Sequence, residues 1–513
     1  MDLRPYQVNL INAVHESWKE SDRVIAVAPT GSGKAVMMAC IARDRMEHGP
    51  VLILAHRQEL IDQAIDKMEK ATGVRAVKEM AESKASGNER MVVASMQTLS
   101  RRDVFGSGYF RTVIVDECHH LVSESYLNLM GRFTGAKVLG VTATPDRSDK
   151  KELGSYFEKV AYEIGSLDLI AQGYLSKIVV NRIPVRVDLS NVSKRAGEFA
   201  SEELDSAITP WLEKIVAHIP RDRKTLVFLP LIATSKQFTE IAKGAGFDAE
   251  HVDGNSPDRS EILGRFAAKK VGILSNSMLL TEGYDCPSID CVLVLRPTMS
   301  RPLYSQMIGR GTRIFPGKEN LLVLDALWLT GKHSLVRPTS LVTDSVEVAK
   351  IAEEMLDQGE IWDVEKVVES AKEQREQSLI KQLKEQAAKA IGKKLNAIDP
   401  LEFAVSLHDS RLADYEPIME WENAPASPKQ IQMIERFGLA GDRVTCKGHA
   451  SAIINRIMDR QRLKLASPKQ LKWLIKLGHP KPYLETFNGA SEFLDKRFSK
   501  RKTNDKNETC QSC

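Results

Sequence analysis

Cysteine is scarce in this chain. Seven occur among 513 residues, at 40, 118, 286, 291, 446, 510 and 513, with no spacing that would make a disulfide framework. That usage suits a reducing cytoplasm. No stretch approaches the roughly 20 apolar residues of a membrane span, so a membrane partner is not expected. The opening MDLRPYQVNL has no basic segment leading into an apolar one, which argues against secretion. The terminal pair Cys510 and Cys513 has no second CxxC or His pair nearby to complete four zinc ligands, and it reads as a plain tail. Protease and nuclease constellations are likewise missing.

Positive charge is nearly balanced overall, at +4, but it is unevenly placed. Residues 424–513 hold 18 Lys and Arg against 8 Asp and Glu, or +10, which leaves −6 for the first 423 residues. Such a concentration points to a polyanion partner at that end, with a merely solvated basic tail as the alternative.

What the chain has in quantity is short β-rich apolar runs. VIAVAP (24–29), VLILAH (51–56), MVVASM (91–96), VIVDE (113–117) and VLGVTAT (138–144) form a first set. TLVFLP (225–230), VGILSN (271–276), CVLVLRP (291–297) and LLVLDAL (321–327) form a second. Near-continuous Val/Ile/Leu marks strands buried on both faces, and the helical stretches between them supply parallel crossovers. The expected fold class is α/β, with two tandem parallel-sheet domains, 1–165 and 166–335. A helical extension is expected over 336–423, where Val364, Val367, Val368 and Ala371 share one face of a packed helix.

An internal repeat follows at 424–503. ASPKQIQMIERFGL (426–439) matches ASPKQLKWLIKLGH (466–479) at an offset of 40, and Ala450-Ser451 matches Ala490-Ser491. Serine caps a helix well and proline suits its first position, so each unit reads as a two-helix module. Lys429, Arg436, Lys469, Lys472 and Lys476 suit DNA phosphates; docking of a protein partner is the alternative. Residues 504–513 read as a disordered tail.

PTGSGKAV (29–36) carries the clearest chemistry. Gly31 and Gly33 let the backbone curl around a phosphate, with Thr30 and Ser32 in the same loop, and Lys34 reaches the β- and γ-phosphates. Ala35 stands where a Ser or Thr hydroxyl would touch magnesium. In VIVDECHH (113–120) two carboxylates follow an apolar strand. Asp116 can hold magnesium and Glu117 can activate a water, so ATP and Mg2+ are the expected ligands.

With DECH at 116–119, the chain resembles a superfamily 2 helicase of the DEAD/DEAH-box kind. It is most similar to the branch of RadD-like and XPB-like DNA helicases, over about residues 2–330. LRPYQ (3–7) resembles the adenine-recognising Q-motif through Gln7, AHRQEL (55–60) motif Ia and ASMQTL (94–99) motif Ib. VTATP (141–145) resembles motif III, LLTEGYDCP (279–287) motif V and QMIGRGTR (306–313) motif VI. The resemblance implies two RecA-like lobes with ATP between them. It puts Gly283 and Asp285 at the nucleotide, Arg310 and Arg313 on the γ-phosphate as arginine fingers, and Gln306 on the box histidine, His119. Arg57, Gln97, Thr98 and Thr281 become candidates for nucleic-acid contact, with DNA favoured over RNA.

Three functions compete on these residues. One is an ATP-driven helicase or translocase. Another is an ATP-responsive binding module whose hydrolysis Ala35 has impaired, and the third a nucleic-acid-binding protein on a helicase scaffold. A lost polar contact to a charged group costs about 1.5–3 kcal/mol, or roughly 10- to 150-fold in affinity. That favours a weakened or adapted enzyme.

Overall fold

The computed structural model describes residues 3–55, 65, 69, 73–79, 88–102, 105–122, 124–143, 153–195, 198–281, 284–329, 335–343, 345–356, 360–389, 398–415, 417 and 419–508. Two compact units divide the chain, Met1–Glu369 and Ser370–Cys513.

The first unit contains two parallel sheets. The first comprises β1 (Arg23–Val27), β2 (Val51–Ala55), β3 (Val77–Glu79), β4 (Met91–Ser95), β5 (Thr112–Asp116), β6 (Lys137–Thr142) and β7 (Lys159–Glu163). Their spatial order is β3-β4-β2-β5-β6-β1-β7. The strands β2 and β4 are buried at every position, as their unbroken apolar runs require. Register sets Val27 opposite Thr142 and Asp116 opposite Val141, so β1 and β5 end level on either side of β6. Two loops therefore leave the same edge about 10 Å apart, twice the usual strand spacing.

The second sheet uses β8 (Lys177–Asp188), β11 (Lys224–Phe228), β12 (Ala249–His251), β13 (Gly272–Asn276), β14 (Cys291–Val294), β15 (Asn320–Leu329) and β16 (Ile361–Asp363). A small antiparallel pair, β9 (Lys194–Arg195) and β10 (Glu198–Phe199), lies apart from it. The order is β12-β13-β11-β14-β15-β8-β16, with only β16 antiparallel to its neighbour among the described pairings. Burial alternates along much of β8, which explains why no apolar run marks it in the sequence.

The second lobe also extends past the boundary expected at residue 335. β16 pairs with β8, and the helix Val346–Glu354 is held by an ionic cluster. Arg182 pairs with Glu353 and lies 3.8 Å from Asp325, and Arg337 lies 3.4 Å from the same carboxylate. Burial pushes Asp325 above the ordinary carboxylate range against the pull of Arg337. These charged groups act beside the buried Val348 and Ala352 of the same helix and the backbone pairing of β16.

In the second unit the two repeats are structural copies. Ser427 and Ser467 cap the helices Pro428–Arg436 and Pro468–Lys476, each Oγ accepting from the Gln N–H three residues on at 3.3 Å. Gln430 Nε2 donates to Ser451 Oγ at 2.9 Å, and Gln470 Nε2 donates to Ser491 Oγ at the same distance. Each glutamine thus clamps its helix to the next one, Lys447–Arg462 or Phe487–Glu508. The expected cut at 423/424 passes through a shared core. Ile398, Phe403 and Leu412 pack in one cluster with Ile434, Leu439, Ile453 and Leu471. The helix reaching Glu508 also enters the segment read as a tail, while Cys510 and Cys513 lie outside the described residues. Among the described residues no helix is long and apolar enough to cross a membrane.

Candidate active site

The loop after β1 opens the helix Lys34–Arg45. Gly31 and Gly33 hold φ of 88° and 84°, the left-handed region that glycine enters without a Cβ clash. A Cβ on Gly33 would also stand 2.6 Å from Gln7 Nε2. The Ser32 carbonyl accepts from Tyr6 Oη at 2.6 Å and from Gln7 Nε2 at 3.0 Å. Gln7 Oε1 accepts from the Arg4 N–H at 2.9 Å. The side chain expected on adenine thus also braces the loop, with one N–H and one lone pair of its amide engaged. This follows from its place at the third helical position, where a glutamine reaches back to the cap.

The buried hydroxyl oxygens of Thr30 and Ser32 have no hydrogen-bond partner among the described atoms. Such groups call for a ligand, and together with the glycine N–H groups and Lys34 they fit a polyphosphate. The donor set for magnesium is thinner. Asp116 supplies a carboxylate, and Ala35 supplies only a methyl group.

Glu117 follows β5 with φ 47°, unusual for a residue with a side chain. Its N–H donates to Asp116 Oδ1 at 3.0 Å, and its Oε1 lies 3.5 Å from Lys34 Nζ. The sharp turn separates the two carboxyls into different roles. His119 Nδ1 meets Thr142 Oγ1 at 3.2 Å and Glu117 Oε2 at 3.5 Å. No described hydrogen bond joins it to Gln306, which is buried in the helix Arg301–Gly309. Thr142 prevails because β6 lies between the two site loops and ends beside the box. Beneath it, burial pushes the Cys118 thiol well up, and that residue serves as packing.

The second lobe meets this loop directly. A Cβ on Gly309 would stand 2.4 Å from Thr30 Cβ, and one on Gly31 would stand 3.0 Å from Thr312 Oγ1 and 3.6 Å from Arg313 Cγ. Thr312 Oγ1 donates to the Gly309 carbonyl at 3.1 Å and approaches that of Thr30 at 3.4 Å. Arg310 is buried and donates to the Tyr284 carbonyl at 2.8 Å. Arg313 forms an ion pair with Asp285, so two residues expected at the nucleotide hold one another.

Of the nucleic-acid candidates, Gln97 is exposed and Thr98 half-buried at the start of the helix Met96–Arg101. Thr281 is fully buried, its hydroxyl donating to the Met278 carbonyl at 2.8 Å. That corrects the expectation of an outward contact, because the short helix Leu279–Thr281 turns the side chain inward. Arg57 and Gly283 lie outside the described residues, as do Thr144 and Pro145 of the motif III segment.

Tyr6, Thr312 and Tyr174 were missed. The first two lie inside the quoted LRPYQ and QMIGRGTR segments, which was signal enough. Tyr174, whose ring lies 5.1 Å from that of Tyr6 and under the Arg4 guanidinium at 5.1 Å, comes from the segment just after residue 165, outside every quoted motif.

Two family models match. Residues 1–147 fit the Type III restriction enzyme, res subunit, and residues 208–315 fit the Helicase conserved C-terminal domain. The chain is 30% identical over 367 residues, 66% of its length, to the protein named as an ATP-dependent helicase, IRC3, in Saccharomyces cerevisiae. It is 33% identical over 375 residues, 68% of its length, to the mitochondrial protein of that name in Schizosaccharomyces pombe. It spans 53% and 61% of those curated relatives. The DNA-bound ATP-dependent Type ISP restriction-modification enzyme LlaBIII is similar in fold. Its TM-score is 0.53 at 14% identity, covering 97% of this chain and 42% of that one.

Proposed function

From the two family models and the helicase relatives that it matches, we propose that the chain is a superfamily 2 helicase of the XPB- and RadD-like branch and that it couples ATP hydrolysis between its lobes to movement along nucleic acid. The observation that carries this reading is the direct seating of the arginine-bearing turn on the phosphate loop at Gly31. The N–H groups of Gly31, Gly33 and Lys34 bind phosphate oxygens, and the Lys34 ammonium balances their charge. Tyr6 and Gln7 hold the Ser32 carbonyl away, so that the loop presents donors. Asp116 would hold magnesium, which when bound neutralises charge on the phosphates. Glu117 takes a proton from the attacking water. Arg310 stabilises the transferring group, and Arg313 exchanges Asp285 for a phosphate oxygen as the lobes engage. Loss of that phosphate releases the arginines, and the lobes change their grip on the strand.

Strand-stimulated ATP turnover is the test. Both the parent chain and Ala35→Thr should turn over, with Ala35→Thr half-saturating at a Mg·ATP concentration roughly 10- to 150-fold lower. Turnover in neither would overturn the enzyme reading. Turnover in Ala35→Thr alone would favour an ATP-responsive binding module, the reading that the methyl group at position 35 supports.

DNA is the favoured strand, through the family branch. Gln97 and Thr98 are positioned to meet it from the first lobe, and the basic repeat adds a second surface. Lys476 Nζ stands 5.0 Å from the Trp473 ring, which is 38% exposed, so charge and a stacking face lie together. Replacing Lys472 and Lys476 by Gln should flatten the plot of log affinity against log salt. The slope should change by about 0.7–0.9 for each phosphate that is no longer neutralised. An unchanged slope would remove the repeat from the binding surface.

A further inference from the structure

Beyond the helix Arg301–Gly309, the residues carrying Arg310 and Arg313 form a turn without a ladder of its own. Ser176 holds the Thr312 carbonyl through its N–H at 2.7 Å and that of Arg313 through its hydroxyl at 2.9 Å, and a lysine gathers the carbonyls around them. Lys318 Nζ donates to the Gly311 carbonyl, to that of Arg313 at 2.9 Å and to that of Pro287 at 3.5 Å. Gly311 and Arg313 bracket Thr312, which rests on the phosphate loop. Pro287 follows closely on Asp285, the partner of Arg313. Gly317, at φ 80°, turns the chain back so that Lys318 can reach them. The turn has little slack, since a Cβ on Gly311 would stand 2.4 Å from Leu321 Cδ1.

We propose that Lys318 is a positioning residue, its ammonium holding the arginine turn and the Asp285–Pro287 segment in the arrangement that hydrolysis needs. The proposal rests on the reading that Arg310 and Arg313 serve ATP hydrolysis. Three main-chain acceptors use all three N–H donors of an ammonium, whereas a neutral amine has two. The charged groups facing it are Asp290, Arg223 and Arg313, with the Cys286 thiol beside them. Burial lowers Lys318 from the ordinary 10.5 to about 8, with Asp290 opposing the shift. The cation is therefore lost as pH rises through about 8. Stability follows the opposite sign. From about pH 8 to the ordinary lysine value the unfolded chain binds more protons, so the Lys318 contribution to stability rises over that window.

ATP turnover of the full chain with a single strand tests this from pH 7 to about 9, beside melting temperature at each pH. Lys318→Met should lower kcat at least about tenfold, the loss expected of one charge-assisted hydrogen bond, with KM for ATP little changed. Parent kcat should fall through about pH 8 while that of Lys318→Arg, whose charge persists, stays level. A Lys318→Met chain that melts lower but keeps the parent kcat and pH profile would overturn the proposal, as would a parent profile flat through pH 8. Arg310→Ala separates the two readings. If it is inactive while Lys318→Met is unimpaired, only the Lys318 proposal falls. If it keeps full turnover, the arginine reading fails and this one with it.

Discussion

Arg310→Ala should turn over ATP roughly 10³- to 10⁵-fold more slowly than the parent chain, the effect of removing an arginine finger. The expectation rests on position. Arg310 directly follows Gly309, whose backbone packs on Thr30 so closely that a methyl group would not fit. Its buried guanidinium is anchored at the Tyr284 carbonyl beside Asp285, which limits the orientations open to it. On the proposed reading, a side chain held in this way would contribute charge to the transferring phosphoryl group without being reorganised at the moment of reaction. Single-turnover and steady-state rates at saturating ATP check the prediction. Loss of rate should exceed any loss of nucleotide affinity measured with a fluorescent analogue. A rate within tenfold of the parent would remove Arg310 from the transition state.

Glu117→Gln should lower turnover by roughly 10²- to 10⁴-fold, the usual contribution of a positioned general base. Glutamine matches the shape of the carboxylate and still accepts a hydrogen bond, but it cannot take the proton from water. Nucleotide affinity should hold or improve, because the change removes a negative charge 3.5 Å from Lys34 Nζ and leaves that ammonium to the phosphates. Equilibrium binding and turnover, measured on one preparation, give the split. Parallel losses in both would mean that Glu117 shapes the loop, an alternative its φ of 47° makes worth measuring.

Much of the site was readable one stretch at a time. Gly31–Lys34 lies between an apolar strand and a helix, and the sequence around it announces both. Asp116 ends β5 because an apolar run stops there. The repeat could be read to the level of its serine caps, since capping depends on residues within three positions of each other. Partners of polar side chains were another matter. Gln7 was expected on adenine and lies on Ser32; His119 was expected on Gln306 and lies on Thr142. Thr281 was expected to face a strand and is buried. Nothing local distinguishes these outcomes, because each depends on elements brought together from elsewhere in the chain.

Sequence by itself therefore determined the two parallel sheets and the two-helix units of the repeat. Hydrophobic burial, turn preference and capping are sums over near neighbours, and near neighbours are what a sequence displays. Tertiary structure alone decided that the second lobe runs on to β16, and that the start of the repeat shares a core with Ile398 and Phe403. It also decided that Arg313 pairs with Asp285 and that Lys318 gathers the carbonyls around the arginines. A buried polar group must be satisfied, but it takes whichever partner the folded neighbourhood places within about 3 Å, and that neighbourhood is assembled only by the fold.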